Sequence, residues 1–184
     1  MAGLLGGILG KLTGKQLSIQ EIMNIDEGRK DRASECVVRL TKVYHVLKEE
    51  SIMDKLRSVF FGKTVLKIYY LVFKFEVTSK TGSTYNVIIQ TSPDYDIRGW
   101  KNSKCKVYCE CKDFQFRSAY LLGKNNTLFL SDRIKIKLGP ALTQAPKDKT
   151  PTTLLCKHSM AALQYLVNNC LLYTSPSPRD PKTS

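Results

Sequence analysis

The sequence predicts an α+β fold, in which N-terminal helices pack on a small antiparallel β-sheet. Three observations predict it: apolar residues at helical spacing over residues 33–47, a β-branched and aromatic stretch over residues 65–90, and two short cysteine and histidine pairs further along the chain. With 184 residues and 42% hydrophobic content, the chain is long enough to bury the core of one domain.

The N-terminal part is predicted to contain two core helices. Over residues 33–47 the apolar side chains share one helical face despite several β-branched residues: Cys36, Val37, Leu40, Val43, Tyr44 and Leu47. Ser51 is expected to cap a shorter helix that ends at Gly62. Within the first helix, Cys36 and His45 are interpreted as packing residues, since a lone cysteine or histidine usually has that role.

The central part is predicted to form the sheet. Residues 68–78 and 84–91 form two strands of a hairpin around a turn that contains Gly82. A third strand over residues 104–109 completes a small antiparallel sheet.

The C-terminal part alternates helices with a basic insertion. Asp113 is expected to cap a helix that ends at Gly123, and residues 159–168 form a last helix. Between them, residues 124–155 form a polar, basic insertion, with a pair of short strands predicted over residues 127–130 and 133–138.

Two short residue pairs predict a metal site. Cys109 and Cys111 are separated by one residue, as are Cys156 and His158, so each pair can present two ligand atoms to one ion. Three thiolates and one imidazole complete the tetrahedral shell of zinc, which predicts one structural Zn²⁺ rather than a catalytic one. The alternatives are buried reduced cysteines and a surface histidine with no metal, or a site in which Cys105 replaces one of the ligands.

These pairs resemble a known signature. Cys109-Glu-Cys111 and Cys156-Lys-His158 resemble the C-x-C…C-x-H motif of SWIM-type zinc fingers, and Asp113-Phe-Gln-Phe-Arg117 resembles SWIM-type proteins of tailed bacteriophages. The resemblance implies a zinc-stapled, ββα-like module over residues 104–169 that binds DNA or other proteins. It also implies a phage-encoded protein located in the host cytoplasm or associated with the virion.

The net charge of +13 favours a polyanionic partner. Candidate nucleic-acid contacts are basic residues at or within the insertion, with Arg133, Lys135 and Lys137 expected to alternate along one face of a strand: Lys124, Arg133, Lys135, Lys137, Lys147 and Lys149. A solvated basic surface is the alternative interpretation. A second hypothesis is a structural or assembly component of a phage particle, which docks proteins and uses zinc only to stabilise its fold.

Other classes of function are disfavoured. The chain has only two histidines, so no serine or cysteine catalytic triad can form without breaking the metal site, and no glycine-rich phosphate loop occurs. We therefore predict a binding module with no enzymatic activity and no small-molecule substrate. The chain contains no run of 18 or more apolar residues, so no membrane-spanning helix is predicted. Its N-terminus does not resemble a secretory signal, so a reducing cytoplasm is expected, where paired cysteines are first interpreted as metal ligands.

The two ends of the chain are expected to lie outside the folded part. Residues 1–17 are predicted to be a flexible, glycine-rich arm, with an amphipathic segment that docks on a membrane or a partner as the alternative. Residues 170–184 resemble an in-frame translation of a sequencing-library adapter, which indicates an artefact from a metagenomic source. Residues 18–103 then form the helical and hairpin part of the domain.

Overall fold

A computed structural model describes residues 15–47, 69–91, 102–144 and 153–169. Within these ranges, four strands and five α-helices form an α+β fold, as predicted. The strands are β1 Val37–Leu47, β2 Tyr69–Thr78, β3 Thr84–Thr91 and β4 Cys105–Cys109. The helices are α1 Ile19–Ile25, α2 Lys30–Ser34, α3 Ala119–Lys124, α4 Asp132–Leu138 and α5 Lys157–Asn169. The helix predicted after Ser51 lies outside the described residues.

The sheet is antiparallel throughout, with strand order β1-β2-β3-β4. The predicted β2–β3 hairpin and the third strand, β4, are confirmed. Gly82 adopts φ of +83° in the hairpin turn, a conformation that a residue without a Cβ takes at little cost. Phe75 on β2 pairs with Val87 on β3, and Val87 pairs with Cys109 on β4, so the core face of the sheet leads directly to a cysteine.

The helix predicted over residues 33–47 is wrong, because most of it is the edge strand β1. Pairing with β2 slips by one residue between Leu40 and Lys42, which marks a β-bulge at Thr41. The extra residue places Leu40 and Val43, three positions apart, opposite Phe75 and Phe73 on the same face. A strand with a bulge therefore reproduces helical spacing, and the β-branched side chains were the more reliable signal.

Helix α5 forms the second layer and confirms the predicted last helix. It packs against all four strands and against α1 and α2. Its buried side chains include Met160, Leu163 and Leu166. None of the helices in the described ranges is long and apolar enough to cross a membrane.

The N-terminal segment closes the free edge of β4. Ser18 caps α1 in a capping box with Glu21, which satisfies two backbone donors. Leu17 is buried, and its carbonyl accepts a hydrogen bond of 3.1 Å from the Cys105 backbone N–H. The part of the predicted arm that the structure describes, residues 15–17, thus includes a residue packed against β4.

The strands predicted in the insertion are wrong. Residues 127–130 form only a single parallel bridge, between Leu128 and Val107 of β4. Residues 132–138 form helix α4, which Ser131 caps by accepting a hydrogen bond from the Ile134 N–H. Alternating polar and apolar residues suggested a strand, but a helix places Ile134 and Leu138 together on one buried face and leaves Ile136 exposed.

The segment after Asp113 is helical, as predicted, but begins differently. A π-helical turn over Phe114–Ser118 precedes α3, which continues through Gly123 to Lys124. The Asp113 side chain makes no capping hydrogen bond. Its carboxylate instead pairs with Arg29 at 2.9 Å and with Arg117 at 3.4 Å.

Two isoleucine substitutions test the geometry of α4. Ile134 is 7% exposed and Ile136 is 83% exposed. We expect Ile134→Ala to lower the free energy of unfolding by ~2 kcal/mol or more, since it removes buried methyl groups. We expect Ile136→Ala to change it by less than ~0.5 kcal/mol. Urea denaturation of both variants measures the difference, and equal losses would indicate a strand with both side chains on one face.

Candidate metal centre

The site forms where the end of β4 meets the start of α5. Cys109 is the last residue of β4, Cys111 lies two residues beyond it, Cys156 immediately precedes α5, and His158 lies in its first turn. The ligand atoms of these four residues all lie within 4.8 Å of one another. The structure therefore brings together the four residues that the sequence predicted as metal ligands, across 44 intervening residues.

The four side chains fit one metal ion. Zn–S bonds of about 2.3 Å place the sulfurs of a tetrahedral site roughly 3.7 Å apart, so small side-chain rotations would bring all four atoms onto one ion. All four residues are buried, at most 5% exposed. Neither ring nitrogen of His158 has a hydrogen-bond partner within the described structure, and burying such a group costs free energy unless an ion or another partner satisfies it.

The sulfurs already interact with one another. Burial raises the pKa of Cys109 well above the usual value. For Cys111, the hydrogen bond with Cys109 acts to lower the pKa, but a hydrogen bond with Cys156 and burial together raise it to about 12. Burial would also raise the pKa of Cys156, but hydrogen bonds from Cys109 and Cys111 hold it well below the usual value. Cys156 is thus the sulfur of the cluster that loses its proton most readily, and the thiolate is the form of cysteine that binds metals.

Each ligand pair is followed by a helical turn that donates to one of its sulfurs. The Phe114 N–H donates to Cys111 Sγ at 3.3 Å, and the Ser159 N–H donates to Cys156 Sγ at 3.4 Å. Both donors lie three residues after the cysteine. Backbone N–H groups at a helix start favour negative charge, so both turns stabilise thiolates at these positions.

A corner between α1 and α2 ties the two ligand-bearing segments together. The Arg29 guanidinium donates to Asp113 Oδ2 at 2.9 Å, two residues after Cys111, and to Thr153 Oγ1 at 3.0 Å, three residues before Cys156. The buried Asp26 carboxylate accepts a hydrogen bond from the Leu155 backbone N–H. Residues 26–29 therefore form hydrogen bonds with both ligand-bearing segments.

Cys105 is a core residue outside the cluster. It is fully buried at the opposite end of β4, four residues from Cys109, which is about 13 Å along a strand. Burial raises the pKa of its thiol to about 12. Among the described residues, Cys105 is not part of any group of metal ligands.

The predicted nucleic-acid contacts do not form one row. Arg133, Lys135 and Lys137 lie on helix α4 rather than alternating along a strand, so the predicted strand face is wrong. Lys137 pairs with Glu110 at 2.9 Å, and Lys135 pairs with Asp132 at 3.2 Å. Lys124 lies over the ring of its neighbour Tyr120, 4.7 Å from the centroid. Lys147 and Lys149 lie outside the described residues.

A basic cleft beside the metal centre was not predicted. It is lined by Cys111 and His158 and by five basic residues: Arg29, Arg32, Lys112, Arg117 and Lys157. Lys112 and Lys157 are next to ligands in the sequence, which is the one local signal for this surface. Arg29 and Arg32 come from more than 75 residues away in the chain, and only the fold brings them here.

The fold and the cluster define an α+β protein with a buried Cys3His site that could hold one metal ion. This composition is compatible with a zinc finger. No protein-family model, curated protein or solved structure matches the chain. The SWIM type and the phage similarity inferred from the motif stay predictions.

Arg29→Gln tests whether the corner positions the ligands. We expect roughly tenfold weaker metal binding, as is typical when groups that orient the ligands are lost. Arg32→Gln is the matched control, because it removes an equal charge from the same cleft but has no hydrogen bond to either ligand-bearing segment in the described structure. Competition with a chromophoric chelator measures both affinities, and equal affinities would contradict a positioning role.

Proposed function

We propose that this chain is a SWIM-type zinc-binding module that binds nucleic acid or protein and has no catalytic role. The observation that carries the proposal is the closed Cys3His cluster at the junction of β4 and α5. The ion would hold the edge of the sheet to the terminal helix, and its binding free energy would contribute to the stability of the fold.

The donor set supports zinc as the ion. Thiolate sulfur binds zinc and other soft or borderline metals, whereas magnesium and calcium prefer oxygen. Three sulfurs and one nitrogen within 4.8 Å of one another match the donor set of structural zinc sites. A fully occupied shell leaves no position for water or substrate, which supports a structural role over a catalytic one.

A binding role also agrees with the residues around the site. The other histidine of the chain, His45, lies on β1 and is exposed. His158 is therefore the only histidine in the cluster, which leaves no second histidine there for acid–base catalysis. The net charge of +13 favours a polyanionic partner. Nucleic acid is therefore the partner class that we favour.

Metal analysis of natively purified protein tests the zinc site. We expect about one zinc per chain in the wild type and little in Cys156→Ala, which should also unfold at a lower temperature because one of four ligands is lost. Cys105→Ala is the matched control, since Cys105 is equally buried but outside the cluster. It should keep its zinc.

Three results would contradict all or part of this proposal. A metal-free wild type whose thermal stability is unaffected by a chelator would remove the zinc site. Loss of zinc from Cys105→Ala, with retention in Cys156→Ala, would assign the fourth ligand to Cys105. Iron or copper in place of zinc would keep the site but contradict its identity.

The alternative function is a structural or assembly component of a phage particle. Exposed apolar side chains on the edge strand β1 favour it: Val37, Val43, Val46 and Leu47. This function predicts a stable homo-oligomer, detected by light scattering after size-exclusion chromatography. Val43→Thr, which keeps the β-branched shape but adds a hydroxyl, should weaken that oligomer. A wild type that remains monomeric at high concentration would count against this alternative.

A further inference from the structure

The basic cleft lies between the α2 region, the segment after Cys111 and the start of α5. It has a volume of about 650 Å³, and its walls include Arg29, Arg32, Lys112, Arg117 and Lys157. Two acidic residues, Glu110 and Asp113, also line it. The five cations outnumber the two carboxylates, so the lining is positive, and the pairing of the acids decides which cations remain unpaired.

Both acids already form ion pairs with basic side chains. Asp113 lies between Arg29 and Arg117, at 2.9 and 3.4 Å, and Glu110 accepts a hydrogen bond of 2.9 Å from Lys137. Within the described part of the chain, Arg32, Lys112 and Lys157 have no carboxylate at ion-pair distance. These three side chains give the cleft an uncompensated positive charge.

The positive surface continues beyond the cleft. The pair of Glu110 with Lys137 connects helix α4 to the cleft rim. Arg133 is exposed one turn before Lys137, on the same face of α4. Because Lys135 and Lys137 are paired with acids, Arg133 adds one further positive charge beyond the cleft rim, and an anion that reaches both must be extended.

We propose that this cleft binds the phosphodiester backbone of a single nucleic-acid strand, with Arg32, Lys112 and Lys157 as the phosphate-binding residues. The proposal rests on the proposed binding function and assigns it to a surface. Arginine and lysine donors suit phosphate oxygens, and repeated contacts along a strand release counterions. The cleft, at about 650 Å³, has room for the backbone of one strand but not for the full cross-section of a duplex.

The metal centre has a positional role in this surface. Cys111 and His158 form part of the cleft wall, and Lys112 and Lys157 are their sequence neighbours. An ion that fixes the two ligands therefore also fixes the two lysines relative to each other. Prearranged charges bind a polyanion with less loss of side-chain freedom.

A fluorescent 15-nucleotide oligothymidylate is the probe, measured by anisotropy at several salt concentrations. We expect salt-dependent binding by the wild type and at least roughly tenfold weaker binding at low salt by the triple variant Arg32→Gln, Lys112→Gln, Lys157→Gln. Loss of three phosphate contacts should reduce the slope of log affinity against log salt by about 2, at about 0.7 per contact with a single strand.

A second triple variant with the same net charge is the control. Lys42→Gln, Lys74→Gln and Lys104→Gln remove three cations that do not line the cleft, and should leave the salt slope nearly unchanged. Equal losses in the two variants would show that total charge drives binding, and would overturn the proposal. So would a wild type that does not bind the probe, or one that binds inorganic phosphate or a mononucleotide as tightly as the probe.

Metal content is measured on the same samples. If the triple variant fails to fold or loses its metal, Arg32→Gln alone tests the cleft, because Arg32 lies outside both ligand-bearing segments; its slope should fall by about 0.7. If the wild type contains its metal and the cleft variants bind the probe as tightly as the wild type does, this inference is overturned while the zinc site still stands. If the wild type contains no metal but Arg32→Gln still weakens binding of the probe, the result supports the cleft and contradicts the zinc site.

Discussion

The closure of the end of β4 onto the start of α5 is the constraint on which the rest of this structure depends. Three buried sulfurs and an imidazole without a hydrogen-bond partner meet there, all within 4.8 Å. Hydrogen bonds between the sulfurs satisfy part of this cluster, but they leave both nitrogens of His158 unsatisfied. One divalent cation would bind one ligand atom from each of the four residues, including one of these nitrogens, which is why a metal explains the arrangement better than packed, reduced cysteines do.

This closure also explains why the corner at residues 26–29 is built as it is. A metal can hold four side chains, but the backbone segments that carry them must still be aligned. Arg29 bridges Asp113 and Thr153, and Asp26 accepts from the Leu155 N–H, so one turn contacts both segments. The N-terminal region therefore contributes more than a layer of core residues: it sets the distance that the ligands must span.

The sequence predicted the site better than it predicted the first half of the fold, for a physical reason. The two residues of each ligand pair are only two positions apart in the sequence. A metal site needs cysteine or histidine ligands, and the chain has few of them, so few other pairings are possible. The β2–β3 hairpin is equally local. Strand β1, however, contains a bulge at Thr41 that turns a spacing of two into a spacing of three between Leu40 and Val43, so its apolar pattern resembles a helix. Helix α4 shows the converse, because Ile134, Ile136 and Leu138 alternate like a strand.

The basic surface shows where sequence reasoning must fail. A net charge gives the sum of the cations but not which of them are paired, and pairing is set by the fold. Lys135 and Lys137 are prominent in the sequence, yet each has an acidic partner. Arg32, Lys112 and Lys157 are inconspicuous and widely separated in the sequence, but the fold brings α2 and the two ligand-bearing segments together around one cleft. Charge that is both unpaired and concentrated in a concave space can bind a strand selectively, whereas the same number of dispersed cations gives only weak, nonspecific attraction.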